Sequence, residues 1–223
     1  MGKPVLAACG MGFEAALAAG PGVGAVCGPG PARLAAMLAA QLGEDGAGWG
    51  GILSFGCAGA LDPGLAPGTC VLATGVQTAE GFLGADADWL RALERRLPAA
   101  VSGELAGVDA PLSTAAGKAA LWRAGGACAV DMESQAAALV ARRHGLPFAA
   151  CRVVLDPAWR SVPACALAGM GDDGATALGP LVRALARAPG QLGPLCVLAC
   201  DAWRARRALG RVRARLGERL ALP

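Results

Sequence analysis

AVDMES at residues 129–134 leads into a helix, and LPF at residues 146–148 then precedes the strand AACRVVLDP at residues 149–157. This arrangement places Asp131 and Glu133 at the start of a helix and Asp156 at the far end of the next strand. Helix starts and the carboxyl ends of strands share one edge of a parallel sheet, where ligands bind in a crevice. We therefore expect Glu133 and Asp156 to converge on one site.

The composition favours a single α/β domain spanning residues 1–223, with enough chain to bury an ample core. Hydrophobic residues make up 55% of the sequence, but many are alanine, and no run of about 18 apolar residues indicates a membrane span. The N-terminus lacks a signal-peptide pattern, so a cytoplasmic protein is predicted, with the inner membrane surface as an alternative location. The net charge of +3 does not favour a nucleic-acid partner.

The nine cysteines are scattered, without a C-x-x-C pair, and the chain has one histidine. This pattern disfavours both a disulfide framework and a zinc site. We expect the cysteines to serve as small buried hydrophobic residues.

A strand, a glycine turn and an acidic helix start occur near the N-terminus. Residues 5–10 predict the first strand and residues 13–19 the first helix, with Glu14 in its first turn. Two interpretations of Glu14 remain open. The helix dipole favours a carboxylate at that position, and a carboxylate at the sheet edge could instead orient a water or a sugar hydroxyl.

Two further glycine turns follow the next predicted strands, at residues 23–27 and 51–55. The turn at 28–30 precedes a helix, so its backbone N–H groups could hold an anion or a hydroxyl, although a plain tight turn fits equally well. Arg33, near the start of that helix, is a candidate for meeting an anion. The small residues at 56–59 would let a ligand approach the backbone closely.

Among the charged residues in the middle of the chain, Arg152 is expected to be buried, and Lys118 and Arg123 are expected to be exposed to solvent. Arg152 interrupts the apolar run 149–155, which is typical of a strand buried on both faces. A buried arginine needs a carboxylate partner, and Asp131 or Glu133 is the obvious one. Lys118 and Arg123 lie on the predicted helix 115–124 and are expected to be solvated. Further strands are predicted at 69–77 and 127–130, and short strands or extended pieces at 103–108 and 111–114. Further helices are predicted at 87–97, 132–144, 176–188 and from 194 to 209 or beyond.

A long loop over residues 156–174 follows Asp156 and suggests a lid over a site. Its part from 159 to 170 is largely apolar, which suits a hydrophobic ligand. The last helix ends in an arginine-rich stretch: Arg204, Arg206, Arg207, Arg211, Arg213, Arg215 and Arg219. This stretch is either a solvated basic face or a contact with an anionic membrane surface or partner.

The motifs at 130–134 and 146–156 resemble those of the nucleoside phosphorylase and nucleosidase superfamily, which includes the bacterial methylthioadenosine/S-adenosylhomocysteine nucleosidases. The turns at 10–14, 28–30 and 56–59 look like that family's other three elements, in the same order. The resemblance implies an α/β fold, a three-layer αβα sandwich with a central mixed sheet. Around Asp156, with Arg160 and Pro163 nearby, the sequence is most similar to the hopanoid-associated phosphorylases, which are thought to release adenine from adenosylhopane.

The resemblance also implies roles for the matched residues. Asp156 would protonate the leaving purine at N7, and Glu14 would position or activate the attacking water. Met132 and Glu133 would hold the ribose. Further substrate contacts are predicted at Gly10, Gly28, Gly56, Cys57, Ala58, Gly59 and Arg160. No cofactor or metal is implied, although phosphate could replace water as co-substrate.

Three features depart from the family pattern. Leu155 stands where nucleosidases usually have serine before the catalytic aspartate. No arginine shortly precedes the glycine bend at 56, as it does in hexameric purine nucleoside phosphorylases. No motif identifies the aromatic residue that should stack on the base, and Phe82 and Trp159 are the two candidates.

These departures leave several alternatives open. The attacking group could be water or phosphate, and the enzyme could instead be a methylthioadenosine/S-adenosylhomocysteine nucleosidase or a general purine nucleoside phosphorylase. A nucleoside-binding module that has kept the fold and lost the chemistry is a second alternative. Because the family forms dimers or larger assemblies, a homodimer or larger homo-oligomer is expected.

Overall fold

A computed structural model describes residues 2–44, 46–169, 171 and 177–223. Its strands form one eight-stranded mixed sheet. They are β1 (Val5–Cys9), β2 (Val23–Cys27), β3 (Gly51–Ala60), β4 (Cys70–Thr78), β5 (Gly81–Gly84), β6 (Val101–Gly107), β7 (Ala129–Asp131) and β8 (Phe148–Asp156). The helices are α1 (Gly12–Ala18), α2 (Pro31–Leu42), α3 (Ala87–Arg96), α4 (Ala115–Gly125), α5 (Ser134–Arg143), α6 (Ala164–Ala168), α7 (Leu178–Arg187) and α8 (Leu192–Leu216).

The sheet topology brings separate strand ends to one edge. β1 pairs in parallel with β2 and β3, and β3 pairs in parallel with β8. The carboxyl ends of β1, β2 and β8 therefore lie at the same edge, as the sequence predicted. β7 runs antiparallel to the end of β3 and also pairs with β6, so β3, β8, β4, β6 and β7 close into a ring.

Helices cover both faces of this sheet, which confirms the predicted three-layer α/β fold. Alternate residues of β1 point to opposite layers: Leu6 packs with α2 and α5, and Val5 packs with α1, α3 and α8. A strand buried on both faces must be apolar at nearly every position, and β1 and β8 have that pattern. A smaller cluster joins α4 to β6 and β7.

Several predicted boundaries were wrong in informative ways. β3 does not bend at Gly56 but continues to Ala60, with its pairing to β8 shifted between Ala58 and Gly59. β5 was missed, and of the two alternatives predicted for residues 111–114, a short strand or an extended piece, the strand is not formed. The predicted lid loop contains the short helix α6, and its residues 170 and 172–174 lie outside the described residues. The predicted start of α7 at Thr176 also lies outside them.

All nine cysteines are free thiols, and five of them are buried. Cys196 and Cys200, both on α8, are exposed, which the prediction of buried cysteines did not anticipate. Within the described residues, none of the helices has both the length and the apolar character required to cross a bilayer.

Candidate active site

Glu14 lies at the centre of the sheet edge, where three backbone N–H groups donate to its carboxylate. Gly10 and Met11 each donate to Oε2 at 3.0 Å, and Cys57 donates to Oε1 at 2.7 Å. Glu14 is the third residue of α1, so its bond to Met11 satisfies a donor at the helix start. The bond to Cys57 ties α1 to β3. The position of Glu14 in the first turn of α1 confirms the prediction of a carboxylate at a helix start, whereas its role toward a water or a sugar hydroxyl stays a prediction.

A buried arginine lies behind this edge. The Nε atom of Arg152 lies 2.8 Å from Oδ2 of Asp131, and its Nη1 atom lies 3.7 Å from Oε2 of Glu133. The prediction named Asp131 or Glu133 as its partner, and the structure pairs Arg152 with both. Arg152 also donates to the hydroxyl of Ser54 at 2.5 Å and to the carbonyl of Cys57 at 3.3 Å. The guanidinium therefore joins β8, β3 and the start of α5 in one polar network.

Burial determines the ionisation of this network. It raises the pKa of Glu14 above its ordinary value, against the opposing effect of Arg152 and the backbone donors. It also raises the pKa of Glu133 to about 7, again against Arg152, while Asp131 and Glu14 add to the rise. Burial alone would lower the pKa of Arg152, but Asp131, Glu133 and Glu14 together raise it. The arginine is thus permanently charged, and the two glutamates hold protons more readily than exposed ones do.

Glu133 reaches the glycine turns that follow β1 and β2. Gly30 donates its N–H to Oε1 of Glu133 at 3.4 Å, and the methyl group of Met132 lies beside Gly30. Gly10 passes so close to Glu133 that a Cβ atom built there would lie 2.6 Å from Oε1. Only glycine at position 10 allows this approach without displacing the carboxylate.

Asp156, the last residue of β8, is paired with an unexpected partner. Its carboxylate forms an ion pair with the ammonium group of Lys118, whose side chain is completely buried. The same Nζ atom donates to the carbonyls of Pro157 and Arg160, each at 3.0 Å. Burial raises the pKa of Asp156, and Lys118 opposes that rise. The expectation that Lys118 is solvated was therefore wrong, whereas Arg123 on the same helix is exposed.

The segment 56–59 connects the three acidic residues. Glu14 accepts from Cys57, and the carboxylate of Asp156 lies next to Gly59, where a Cβ atom would be 3.5 Å from Oδ1. Burial raises the pKa of the Cys57 thiol, and the charges of Glu14 and Asp156 both add to that rise. Glu133 contacts Arg152, and the guanidinium of Arg152 donates to the carbonyl of Cys57. Glu14 and Glu133 thus lie in one network around Arg152, and Asp156 lies farther along the same segment of β3, beside Gly59.

Other predicted contacts are placed differently. The N–H of Gly28 donates to the carbonyl of Cys9, so this group is already occupied. Arg33 is exposed at the start of α2. The guanidinium of Arg160 pairs with the buried carboxylate of Asp201 and stacks on Trp159. Phe82 and Trp159 are both exposed.

Sequence reasoning missed three polar residues of this site. Lys118 was missed because its helix shows no clear apolar stripe that would mark it as an inward position. Ser54 and Ser134 are completely buried, and their hydroxyls hydrogen-bond each other at 2.9 Å. A serine within the apolar run 51–55 and another directly after the acidic helix start were the available signals.

Residues 3–168 match a family model described as the phosphorylase superfamily. No curated protein was found to match the sequence. The fold is similar to several solved structures of low sequence identity. One is a mutant of the Helicobacter pylori nucleosidase MTAN with 5'-methylthioadenosine in its active site, at a TM-score of 0.66 and 14% identity, covering 95% of this chain and 98% of that one.

Two other structures show the same fold. The S-adenosylhomocysteine nucleosidase of Streptococcus pyogenes, in complex with 5-methylthiotubericidin, matches at a TM-score of 0.64 and 18% identity, covering 95% of this chain and 97% of that one. The futalosine hydrolase of Helicobacter pylori strain 26695 matches at 0.63 and 15% identity, covering 70% of this chain and 88% of that one.

Proposed function

Because the chain belongs to the phosphorylase superfamily, a family of nucleosidases and nucleoside phosphorylases, we propose that it cleaves the N-glycosidic bond of a purine nucleoside. Attack takes place at the ribose C1′, and adenosylhopane, which carries a large apolar 5′ group, is the preferred substrate. One observation carries the reaction type: carboxylates from three separate parts of the chain lie along one strand segment. Glu14 accepts from Cys57, Asp156 lies beside Gly59, and Glu133 contacts Arg152, which donates to the Cys57 carbonyl.

Asp156 is proposed to protonate the departing purine. Cleavage passes through a sugar cation, and the purine leaves more readily when its N7 atom takes a proton. A carboxylic acid can supply that proton near neutral pH only if its pKa is raised. Burial raises the pKa of Asp156, and Lys118 limits the rise. Acid catalysis of this kind contributes about 10²–10⁴-fold in rate.

Glu133 is proposed to hold the ribose hydroxyls, with Met132 against the sugar. Arg152 and Gly30 both contact the carboxylate, so its position is fixed before substrate arrives. A carboxylate held near C1′ also stabilises the positive charge that develops there.

Glu14 is proposed to position the attacking water. A carboxylate offers about four acceptor positions, and backbone N–H groups use three of them. The remaining position can accept a hydrogen bond from a water molecule directed at C1′. The raised pKa of Glu14 also makes its carboxylate a stronger base than an exposed glutamate.

Hydrolysis is favoured over phosphorolysis, since a doubly charged phosphate calls for arginines at the site. Arg152 is buried and paired with Asp131 and Glu133, and Arg160 is paired with Asp201. The test is to run the reaction with and without phosphate and to identify the sugar product. Hydrolysis gives free sugar at an unchanged rate, whereas a sugar 1-phosphate that forms only with phosphate would overturn this choice.

The preference for a lipid nucleoside rests on the chain that follows Asp156. Residues 159–169 are largely apolar and contain the exposed ring of Trp159. An apolar surface beside the site suits a hydrophobic 5′ substituent better than a small thioether. Adenine release should be measured on adenosylhopane, adenosine and 5′-methylthioadenosine. Turnover of 5′-methylthioadenosine equal to or above that of adenosylhopane would overturn the lipid substrate.

A methylthioadenosine/S-adenosylhomocysteine nucleosidase is the second candidate function. Its support is the fold match over 94–95% of this chain to nucleosidase structures, one of which contains 5′-methylthioadenosine. The same substrate panel decides between the two candidates, because it compares the two 5′ groups on one enzyme.

A further inference from the structure

The solvent face of α8 changes character along its length. Leu192, Cys196, Ala199 and Trp203 follow one another at helical spacing, and all four are exposed. The side chains of Leu192 and Trp203 are 54% and 59% exposed. Residues spaced by three and four positions lie on one side of a helix, so these four form an uncovered apolar stripe. The buried residues of α8, such as Ala205 and Leu209, lie on the opposite side, against the sheet.

The same face becomes basic beyond Trp203. Arg206, Arg207 and Arg211 are exposed there, and Arg207 stacks on the Trp203 ring at 4.7 Å. Residues 177–217 contain eight arginines and a single acidic residue, Asp201. Asp201 is buried and paired with Arg160 and Arg204, so it does not offset the surface charge.

The preceding helix α7 adds to the uncovered apolar surface. Leu178 is 69% exposed and Val182 is 59% exposed, and none of the residues of α7 is buried. Leu181, on the same side of the helix, packs near Gly169 next to α6. This helix therefore rests on α6 while part of its apolar side faces outward.

A cleft of about 410 Å³ borders the apolar stripe. Trp203, Arg204, Arg207 and Arg211 form one wall, and residues 67–69 form the other. Arg204 in this wall is paired with Asp201, which leaves Arg207, Arg211 and the aromatic ring to suit an anionic headgroup, because arginine binds phosphate oxygens with paired hydrogen bonds.

We propose that α7 and α8 dock onto an anionic lipid bilayer, with the apolar stripe in the interface and the arginines against lipid phosphates. Helices with an apolar side and arginines on the flanking surface bind at membrane interfaces in this way, and anionic leaflets attract clustered arginines. A second copy of the chain fits less well, since a two-fold interface would place this basic surface against itself. Membrane docking does not depend on the reaction proposed above, but it would bring the site to a lipid substrate.

The test is sedimentation of the full chain with vesicles of phosphatidylcholine, alone or mixed with phosphatidylglycerol. We expect binding about tenfold stronger to the mixed vesicles, falling as salt screens the arginines. Arg207→Ser with Arg211→Ser should weaken binding about tenfold or more, and Leu192→Ser with Trp203→Ser should weaken it by a similar factor. Matched controls are Arg95→Ser with Arg96→Ser on α3, and Trp122→Ser on α4, which should bind like the parent protein.

Four outcomes would overturn membrane docking. The first is equal or absent binding to both vesicle types, and the second is unchanged binding by both double variants. The third is saturation of the cleft by inorganic phosphate, with no vesicle binding, which would indicate a soluble anion instead. Sedimentation velocity of the Leu192→Ser/Trp203→Ser variant shows whether the face joins two copies of the chain. The fourth is loss of a dimer by this variant while its vesicle binding equals that of the parent, which would assign the stripe to self-association and so contradict the proposal. Thermal unfolding of each variant verifies its fold independently of any activity.

Discussion

Lys118 and Asp156 form an ion pair in which the lysine side chain is completely buried. They lie 38 residues apart in sequence, on α4 and at the end of β8. The lysine also donates to the carbonyls of Pro157 and Arg160. It therefore holds the start of the loop after β8 and opposes the rise in the pKa of the proposed catalytic acid.

Replacing Lys118 with methionine should shift the pH dependence of catalysis. Without the lysine charge, burial acts alone and the pKa of Asp156 rises further, so the protonated acid persists to higher pH. The alkaline limb of the pH profile of kcat should therefore shift to higher pH. The free energy of unfolding should also fall by about 3–5 kcal/mol, because a buried charge loses its partner. Arg123→Met, on the exposed side of the same helix, is the control and should change neither quantity. A profile identical to that of the parent would show that Lys118 does not set the ionisation of Asp156.

Asp156→Asn should lower turnover by about 10²-fold or more, since asparagine has no acidic proton to donate. It also leaves Lys118 buried without a charged partner, so lower stability accompanies the lost activity. The Lys118→Met/Asp156→Asn double variant separates the two effects. It should recover most of the lost stability, measured by denaturant unfolding, and remain inactive. Near-normal adenine release by either variant would exclude Asp156 as the acid.

Glu14→Gln should lower kcat by about 10²-fold while changing KM little, if Glu14 acts on the attacking water. Glutamine offers one acceptor oxygen where three backbone N–H groups now donate, and its amide nitrogen cannot accept from them. Some loss of stability is therefore expected as well. Steady-state kinetics with adenosine, at a temperature well below the unfolding midpoint, distinguishes the two effects. A rise in KM alone would instead place Glu14 in substrate binding.

Gly10→Ala should weaken substrate binding about tenfold if Glu133 holds the ribose. The new methyl group would lie 2.6 Å from Oε1 of Glu133, so the carboxylate must move away. The expected signature is a raised KM with a smaller change in kcat. Gly48→Ala is the matched control, because a Cβ atom there meets nothing within 4 Å. Equal kinetics for the two variants would show that the position of Glu133 is unimportant for binding.

Stability should fall as the pH rises from about 4.5 toward 7, because the pKa of Glu133 is raised to about 7 in the folded protein. The folded state then binds more protons than the unfolded state across this range, which makes the slope of the unfolding free energy negative. The contribution of Glu133 is fully present below its unfolded pKa and is lost as the pH passes about 7. Denaturant unfolding at several pH values should give a shallower slope for Glu133→Gln. An identical slope would mean that Glu133 is ionised throughout.

Periodicity was sufficient to predict most of the strands and helices, whereas the three-layer sandwich was implied by the family resemblance. The apolar runs of β1 and β8 are continuous because both of their faces are covered, and such runs stand out in any sequence. The glycine turns and acidic helix starts marked the sheet edge, so the approach of Glu14 and Glu133 to that edge followed from topology. The charge of Arg152 within an apolar strand was enough to predict its carboxylate partners, since a buried guanidinium must be paired.

Only the tertiary structure decided which polar residues pair across distant elements. Nothing local to α4 distinguishes buried Lys118 from exposed Arg123, because their environments depend on where β8 ends in space. The continuation of β3 past Gly56 was equally hidden, since it depends on pairing with both β8 and β7. Sequence patterns show which side of a helix or strand is buried. Which polar side chains pair across distant elements depends on how the helices and strands pack together, and no local pattern encodes their relative positions.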